Sequence, residues 1–357
     1  MQRDKYVDVV KGIGIISIVI GHSSWIINLK NMEIPIGPFV YLYHLAIFFF
    51  CSGYLYNAQE NNIWNFIVKK IKGLYIPFVK YSFVYLLVRN LFVKLGILDA
   101  ELYLPGDFII AGTNILTFNS LGGFLSAFWF LPVMFIAMIM YASIFIFAKK
   151  LPIKIANTVE IVSYILIGVI GLLTTERQFG LLYNMQISYL MVPVIGMGYI
   201  FKEKKAVFDR AINVVGLIIS GCILGYVLSL DIGIIELSKF MIINKWLFYP
   251  VTMIGIWFCL SLAKILCKSK TIEKVMAYVG ENSYAIMAFH FLGFKILDLI
   301  VCTLIGDKSN LSAFPYTFSK LWFVYYIWGV VFSLGLSYGW KKVYIKLQKG
   351  VISFYEK

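Results

Sequence analysis

The sequence is poor in charged residues. Asp, Glu, Lys and Arg make up 14% of its 357 residues, whereas 61% are hydrophobic. Because a soluble domain needs roughly 25% charged residues to cover its surface, this composition excludes an ordinary water-soluble fold. We predict an all-α integral membrane protein covered mostly by the lipid bilayer, built as one transmembrane domain over residues 1–357 with no fused soluble domain.

Cysteine and histidine are also scarce, with five and three residues. The cysteines show no paired spacing and lie in or beside apolar segments. This pattern indicates small apolar residues rather than disulfides or metal ligands, so we expect no metal site. The cysteines are Cys51, Cys222, Cys259, Cys267 and Cys302.

Apolar runs recur from one end of the chain to the other. A membrane-spanning helix needs about 20 mostly apolar residues, and we predict a bundle of about ten such helices. The first run is too long for a signal peptide, and no small-residue cleavage site follows it. The predicted helices start near Val7, Phe39, Leu74, Ser126, Glu160, Ser188, Ala211, Lys245, Ser283 and Leu321.

Positive charge is concentrated in alternate segments between these runs. Of the 32 Lys and Arg residues, 22 lie in one alternating set of segments, which includes both ends of the chain, and 7 lie in the other set. Cytoplasmic segments of membrane proteins carry this excess. We therefore predict both termini in the cytoplasm and a multi-pass protein of the plasma membrane. The net charge of +14 then reflects orientation and not nucleic-acid binding.

All three histidines, His22, His44 and His290, fall inside predicted helices. Ionisable groups there are costly and usually face a cavity or a partner. Histidine also titrates near neutral pH. Each one taken alone could be a structural hydrogen-bonding residue, but their shared location favours a functional role.

The first predicted helix carries an aligned set of polar residues. Lys11 and His22 are eleven residues apart, close to three turns, so both point to one face, roughly 16 Å apart along the axis. Asp8 lies on the same stripe and is spaced to pair with Lys11. Alternatively, Lys11 extends to the cytoplasmic surface and Asp8 only pairs with it. Three glycines on this helix allow another backbone to approach closely, namely Gly12, Gly14 and Gly21.

Two further polar residues lie toward the outer ends of their helices. The position of His44 on the second predicted helix gives it a depth similar to that of His22. Arg89, on the third, either extends outward or meets an acid or an acceptor group, because a charge at the bilayer centre costs about 2.5–3.5 kcal/mol.

Five short motifs in this chain resemble those of a known family. They are Lys11 with His22, His44 leading to Phe49-Phe50-Cys51-Ser52-Gly53, Lys69-Lys70-Ile71-Lys72 before Pro77, Trp129-Phe130-Leu131, and Gly280, Asn282, Ser283 and Ile286 before His290. The chain resembles the membrane-bound acyltransferase-3 family, and within it the branch of fucose 4-O-acetylases and related acetyltransferases. Two departures are Lys11 where Arg is common, and Leu45-Ala46 where Met-Pro often follows the second histidine.

The resemblance implies transfer of an acetyl group from acetyl-CoA to a hydroxyl of a cell-surface or lipid-linked sugar or polysaccharide, with no permanently bound cofactor. His22 is the candidate general base. The alternative is that His22 carries the acyl group transiently. Lys11, held by Asp8, would steady the donor or the developing charge. His44 would orient the acceptor or relay a proton, and His290 would act on the donor side.

The anionic donor needs fixed cations at the cytoplasmic side. The candidates for donor binding are Lys69, Lys70, Lys72, Asn282 and Ser283. For the lysines, ordinary retention of positive charge in the cytoplasm is an equal alternative. The candidates for acceptor binding are Arg89 and Trp129.

Two other function classes stay open on the sequence alone. Intramembrane His, Lys and Asp residues also form the proton relays of transporters and flippases. A polysaccharide polymerase of the cell envelope would be polytopic as well. Transporters often show paired broken helices in related halves, and no such symmetry is evident here.

Overall fold

The computed structural model describes residues 4–24, 26–29, 32–230 and 232–355. Within these residues the chain forms fifteen α-helices and one short antiparallel hairpin of two strands. The helices are α1 (Lys5–Ser23), α2 (Ile36–Tyr41), α3 (Ala46–Tyr54), α4 (Ile63–Lys70), α5 (Ile76–Lys94), α6 (Pro105–Leu116), α7 (Phe130–Ala148), α8 (Ile153–Glu176), α9 (Met185–Glu203), α10 (Lys205–Phe208), α11 (Val214–Ser229), α12 (Lys245–Leu266), α13 (Lys270–Glu281), α14 (Ser283–Ile305) and α15 (Trp322–Tyr355). The strands are β1 (Ile27–Leu29) and β2 (Met32–Ile34).

Several of these helices join into longer membrane-crossing stretches. A π-helical turn at Ile71–Tyr75 continues α4 into α5, and a 3₁₀ segment at Gly123–Trp129 leads into α7. Eight stretches of the described chain are long and apolar enough to cross a bilayer. They are Lys5–Ser23, Ile36–Tyr54, Ile63–Lys94, Gly123–Ala148, Ile153–Glu176, Lys245–Leu266, Ser283–Ile305 and Ser319–Trp340.

The predicted all-α membrane fold is confirmed, but the predicted number of spans is not settled. A ninth span exists if Lys205–Ala211 and Val214–Ser229, which meet at 74°, cross together. Helix α9 occupies the remaining predicted position, between α3, α7 and α8. Its 19 residues include Gln186 and end in Lys202 and Glu203, which lowers its apolar content. Ten spans therefore stay a prediction.

Helix α1 lies at the centre of the bundle. Its first turn is capped by Asp4, whose side chain accepts a hydrogen bond from the Tyr6 N–H at 3.0 Å. It packs against α2, α3, α12, α13, α14 and α15. The helix that carries the aligned polar stripe is therefore surrounded by protein.

Glycine allows the backbones of α1 and α13 to touch. A Cβ at Gly280 would collide with the Asp8 carbonyl oxygen, and a Cβ at Gly12 would collide with the Met276 carbonyl oxygen. The expected close approach at Gly12 is therefore confirmed. The other two glycines of α1 instead adjoin side chains, with Ile47 and Phe48 beside Gly14, and Val40 and Tyr41 beside Gly21.

Segments that the charge count assigns to one side of the membrane lie together. The Tyr54 hydroxyl, at the end of α3, donates to the Asp4 carboxylate at 2.9 Å. Lys205 Nζ lies 3.2 Å from the Tyr54 hydroxyl, and Lys202 Nζ donates to the Tyr56 carbonyl at 3.0 Å. The start of α1, the end of α3 and the end of α9 thus share one side, here called the basic side. Its assignment to the cytoplasm stays a prediction.

Candidate active site

Two of the three histidines are in direct contact, although they are far apart in the chain. His22 Nδ1 lies 3.0 Å from His290 Nε2, and their rings stack at 5.2 Å with an interplanar angle of 11°. His22 is the second-last residue of α1, whereas His290 is fully buried within α14. The contact exists because α14 begins deep in the bundle, where its first residue, Ser283, lines the same cavity as Lys11.

Hydrogen bonding fixes the protons on this pair. His290 Nδ1 lies 2.9 Å from the carbonyl oxygen of Ile286. A carbonyl oxygen only accepts, so Nδ1 of His290 carries the proton and, in the neutral ring, Nε2 is an acceptor. His22 Nδ1 must then donate to it. The remaining nitrogen of His22, Nε2, is left unprotonated and able to accept a proton.

The position of the proton on neutral His44 follows in the same way from its hydrogen bond. The histidine lies in the turn between α2 and α3, and its Nδ1 lies 3.0 Å from the Val40 carbonyl oxygen. Its Nε2 is therefore also an acceptor in the neutral ring. His22 and His44 line one cavity of about 50 Å³, here called the histidine cavity. Its other polar or aromatic lining residues are Tyr41, Trp129, Phe130 and Ser238.

A second cavity adjoins the first on the basic side. This cavity, of about 290 Å³, is lined by Lys11, Lys69 and Lys70 and is here called the lysine cavity. Three apolar residues line both cavities, namely Ile18, Phe130 and Met287. Those three side chains therefore form the boundary between the lysines and the histidines.

The predicted stripe of α1 is the wall that connects the two cavities. Lys11 and Ile15 line the lysine cavity, Ile18 lines both, and His22 lines the histidine cavity. The predicted ion pair is also confirmed, because Lys11 Nζ lies 3.0 Å from the Asp8 carboxylate. Asp8 is buried, whereas the Lys11 side chain keeps 23% exposure. The pair thus presents its ammonium group to the lysine cavity.

The other candidates for donor binding fall in three environments. Lys70 lies over the Phe66 ring at 4.9 Å, and Lys69 is paired with the Glu60 carboxylate. Lys72 is exposed on the π-helical turn. Ser283 lines the lysine cavity. Asn282, next to it, is bound within the protein, donating to the Tyr278 carbonyl at 2.8 Å and accepting from Ser337 at 3.4 Å.

The two candidates for acceptor binding are separated. Trp129 lines the histidine cavity. Arg89 lines neither cavity, since its guanidinium donates to the Glu101 carbonyl at 2.8 Å and lies 3.5 Å above the Tyr103 ring. Arg89 on α5 therefore holds the connection between α5 and α6. A role for it in acceptor binding stays a prediction.

Several residues that the sequence did not single out lie at this site or near it. Phe291 stacks on His22 at 4.8 Å, and Ser238 and Leu237 reach the histidine cavity from the connection between α11 and α12. Asp298 forms a buried ion pair with Lys295 at 2.6 Å. The spacing of three residues between Asp298 and Lys295 is the one signal in the sequence that pointed to this pair.

Comparison with known proteins agrees with the geometry. The profile of the acyltransferase-3 family, described as an acyltransferase domain, matches residues 4–339. No curated protein and no solved structure gives a significant match. The family match covers nearly the whole chain, and the described helices include at least eight that are able to span a membrane. The chain belongs to the acyltransferase-3 family of membrane-bound acyltransferases.

Proposed function

We propose that this protein is an O-acetyltransferase of the fucose 4-O-acetylase branch, located in the plasma membrane. It moves an acetyl group from cytoplasmic acetyl-CoA to a hydroxyl of a cell-surface or lipid-linked sugar. The observation that carries this proposal is the fixed His22–His290 pair, which leaves one unprotonated nitrogen on a residue that lines the histidine cavity. Acyl transfer to a hydroxyl needs such a base.

The lysine cavity suits the donor. Acetyl-CoA is a bulky polyanion, and its phosphates need cations, which Lys11, Lys69 and Lys70 supply. An adjoining cavity of about 200 Å³ shares Lys69 and Lys70 and gives further room for the nucleotide. The thin pantetheine arm would then follow the face of α1 past Ile18 toward His22, which places the thioester beside the base.

The histidine cavity suits the acceptor. Its aromatic residues Trp129 and Tyr41 offer the flat apolar surfaces on which sugar rings stack, and Ser238 adds a hydrogen-bonding group. His44 also lines this cavity, and with Nδ1 bound to Val40 its Nε2 would accept a hydrogen bond from a second sugar hydroxyl.

The reaction that this arrangement supports is direct transfer. The acceptor oxygen attacks the thioester carbonyl while His22 Nε2 takes the hydroxyl proton, and His290 Nε2 keeps the imidazolium oriented through His22 Nδ1. The C–S bond then breaks, and His22 returns the proton to the CoA thiolate. The products are the O-acetyl sugar and free CoA thiol, and His22 is regenerated.

Thiol release from purified protein tests the proposal. With acetyl-CoA and alkali-deacetylated surface glycan, we expect one free thiol for each acetyl ester formed. Replacing the base in His22→Ala or His22→Gln lowers kcat by about 10²–10⁴-fold. His22→Gln is the matched control for size and hydrogen bonding, so a base role requires both variants to fail. A transporter or polymerase would release no thiol, and an undiminished rate in both variants would contradict the role of His22.

A further inference from the structure

One buried ion pair lies outside the machinery described so far. Lys295 and Asp298 are one turn apart on α14, both side chains are fully buried, and Nζ lies 2.6 Å from the carboxylate. Withdrawing two charges from water is costly, and a buried pair gives little net stability compared with apolar residues of similar size. The pair therefore calls for an explanation beyond stability.

Both charged groups hold the segment that connects α14 to α15. Lys295 Nζ donates to the Ala313 carbonyl at 2.7 Å. The Thr317 N–H lies 3.1 Å from each carboxylate oxygen of Asp298, and the Tyr325 hydroxyl donates to the same carboxylate. Residues 313–317 are thus fixed at both ends. The three side chains that fix them, Lys295, Asp298 and Tyr325, are here called the loop clamp, and residues 313–317 are the clamped segment.

The clamped segment contacts the backbone of α1 next to the candidate base. Tyr316, between the two fixed ends, stacks on Tyr325 at 4.4 Å. Its hydroxyl donates to the carbonyl oxygen of Ser23, the residue that follows His22. The last turn of α1 is therefore tied to the clamped segment immediately beside His22.

The clamped segment also reaches the base through a ring stack. Phe314 lies 4.9 Å from the Phe291 ring. Phe291 in turn lies 4.8 Å from His22 and 4.1 Å from His290. A shift of the segment would remove support from both rings of the histidine pair.

We propose that Lys295 and Asp298 are positioning residues for acyl transfer. They hold the segment so that Tyr316 fixes the end of α1 and Phe314 supports the ring stack, which together keep His22 Nε2 directed at the acceptor. A displacement of 1 Å at a reacting group costs about 10²-fold in rate. This inference rests on the proposed function, because it concerns the same base.

Tyr316→Phe is the sharpest test, since it removes one hydroxyl and leaves the stack. We expect kcat to fall about tenfold, with an unchanged KM for acetyl-CoA, because the lysine cavity is untouched. Tyr326→Phe on α15 is the matched control, because it also removes one hydroxyl from a stacked tyrosine, and the Tyr326 hydroxyl forms no hydrogen bond within the described chain. Both variants should melt at the same temperature, and rates are measured per folded protein well below that temperature.

Asp298→Asn is the second variant, and it keeps the shape of the side chain while leaving Lys295 without its counter-charge. We expect kcat to fall about 10²-fold in the correctly folded fraction. The clamp proposal is overturned if wild-type protein releases thiol and Tyr316→Phe keeps kcat within about twofold, even if its melting temperature falls. If wild-type protein releases no thiol, it is the proposed function that fails.

Discussion

At the scale of single residues, the main feature is a histidine held by another histidine. In the familiar hydrolase triads a carboxylate orients the base and stabilises its positive form. Here the orienting atom is His290 Nε2, a neutral acceptor that is itself fixed by the Ile286 carbonyl. Because that carbonyl accepts and cannot take a proton onward, a proton chain through this pair ends at His290, and under the proposed function His22 would return its proton to the leaving thiolate.

This arrangement predicts different effects for two replacements of His290. Gln has a carbonyl oxygen that reaches the position of Nε2 and still accepts from His22 Nδ1, whereas Ala leaves that donor unpaired in an apolar site. We expect kcat to fall about 10²-fold in His290→Ala and clearly less in His290→Gln. Initial rates of thiol release at saturating acetyl-CoA measure the difference.

The donor KM is the internal control for this pair of variants. His290 lines neither cavity, so KM for acetyl-CoA should stay at the wild-type value in both. Equal loss of kcat in His290→Ala and His290→Gln would show that His290 does more than accept one hydrogen bond.

Residue-level prediction from the sequence succeeded where contacts are local. The Asp8–Lys11 pair and the common face of Lys11 and His22 follow from the helical repeat alone. The partnership of His22 with His290 joins residues 268 positions apart and depends on how deep α14 begins. No pattern in the sequence reports that depth, so the sequence did not predict the contact between His290 and His22. The action of His290 on the donor side stays a prediction.

At the scale of elements, α13 sets the depth of α14. This helix is 12 residues long, too short to span a bilayer, and it packs against α1 through Gly12 and Gly280. Hydropathy identified the long helices around it. It did not predict α13, because one face of α13 is charged. It also did not predict the break between α2 and α3, where His44 lies.

Gly280→Ala should disturb this contact strongly. The added methyl group would meet the Asp8 carbonyl and the Gly12 backbone, which do not move as a side chain would. We expect a loss of roughly 1–3 kcal/mol in folding stability, measured as a lower melting temperature in detergent. Because α14 would shift with α13, kcat should also fall.

Gly225→Ala provides the matched control for this substitution. Gly225 is exposed within α11, and a Cβ there meets no atom within 4 Å. Helix propensity then favours Ala by up to about 1 kcal/mol. Equal melting temperatures for the two variants would contradict the close contact between α1 and α13.

At the scale of the whole molecule, the two cavities follow one another in the direction from the basic side of the bundle to the opposite side. The lysine cavity lies toward the basic side and the histidine cavity lies away from it, with Ile18, Phe130 and Met287 between them. Composition and charge alternation predicted a polytopic protein with two unlike sides. The cavities themselves arise from side chains of many helices, so the sequence alone gave no account of their shape.

This direction predicts that acetyl-CoA acts from one side of the membrane only. A polyanion does not cross lipid, so under the proposed function the donor would enter where Lys11, Lys69 and Lys70 are accessible. In sealed inside-out vesicles, external radiolabelled acetyl-CoA should acetylate glycan enclosed in the lumen. In sealed right-side-out vesicles the same addition should give almost no product until detergent opens them. Equal rates in both sealed preparations would contradict this prediction, because they would mean that the donor reaches the site equally well from either face of the membrane.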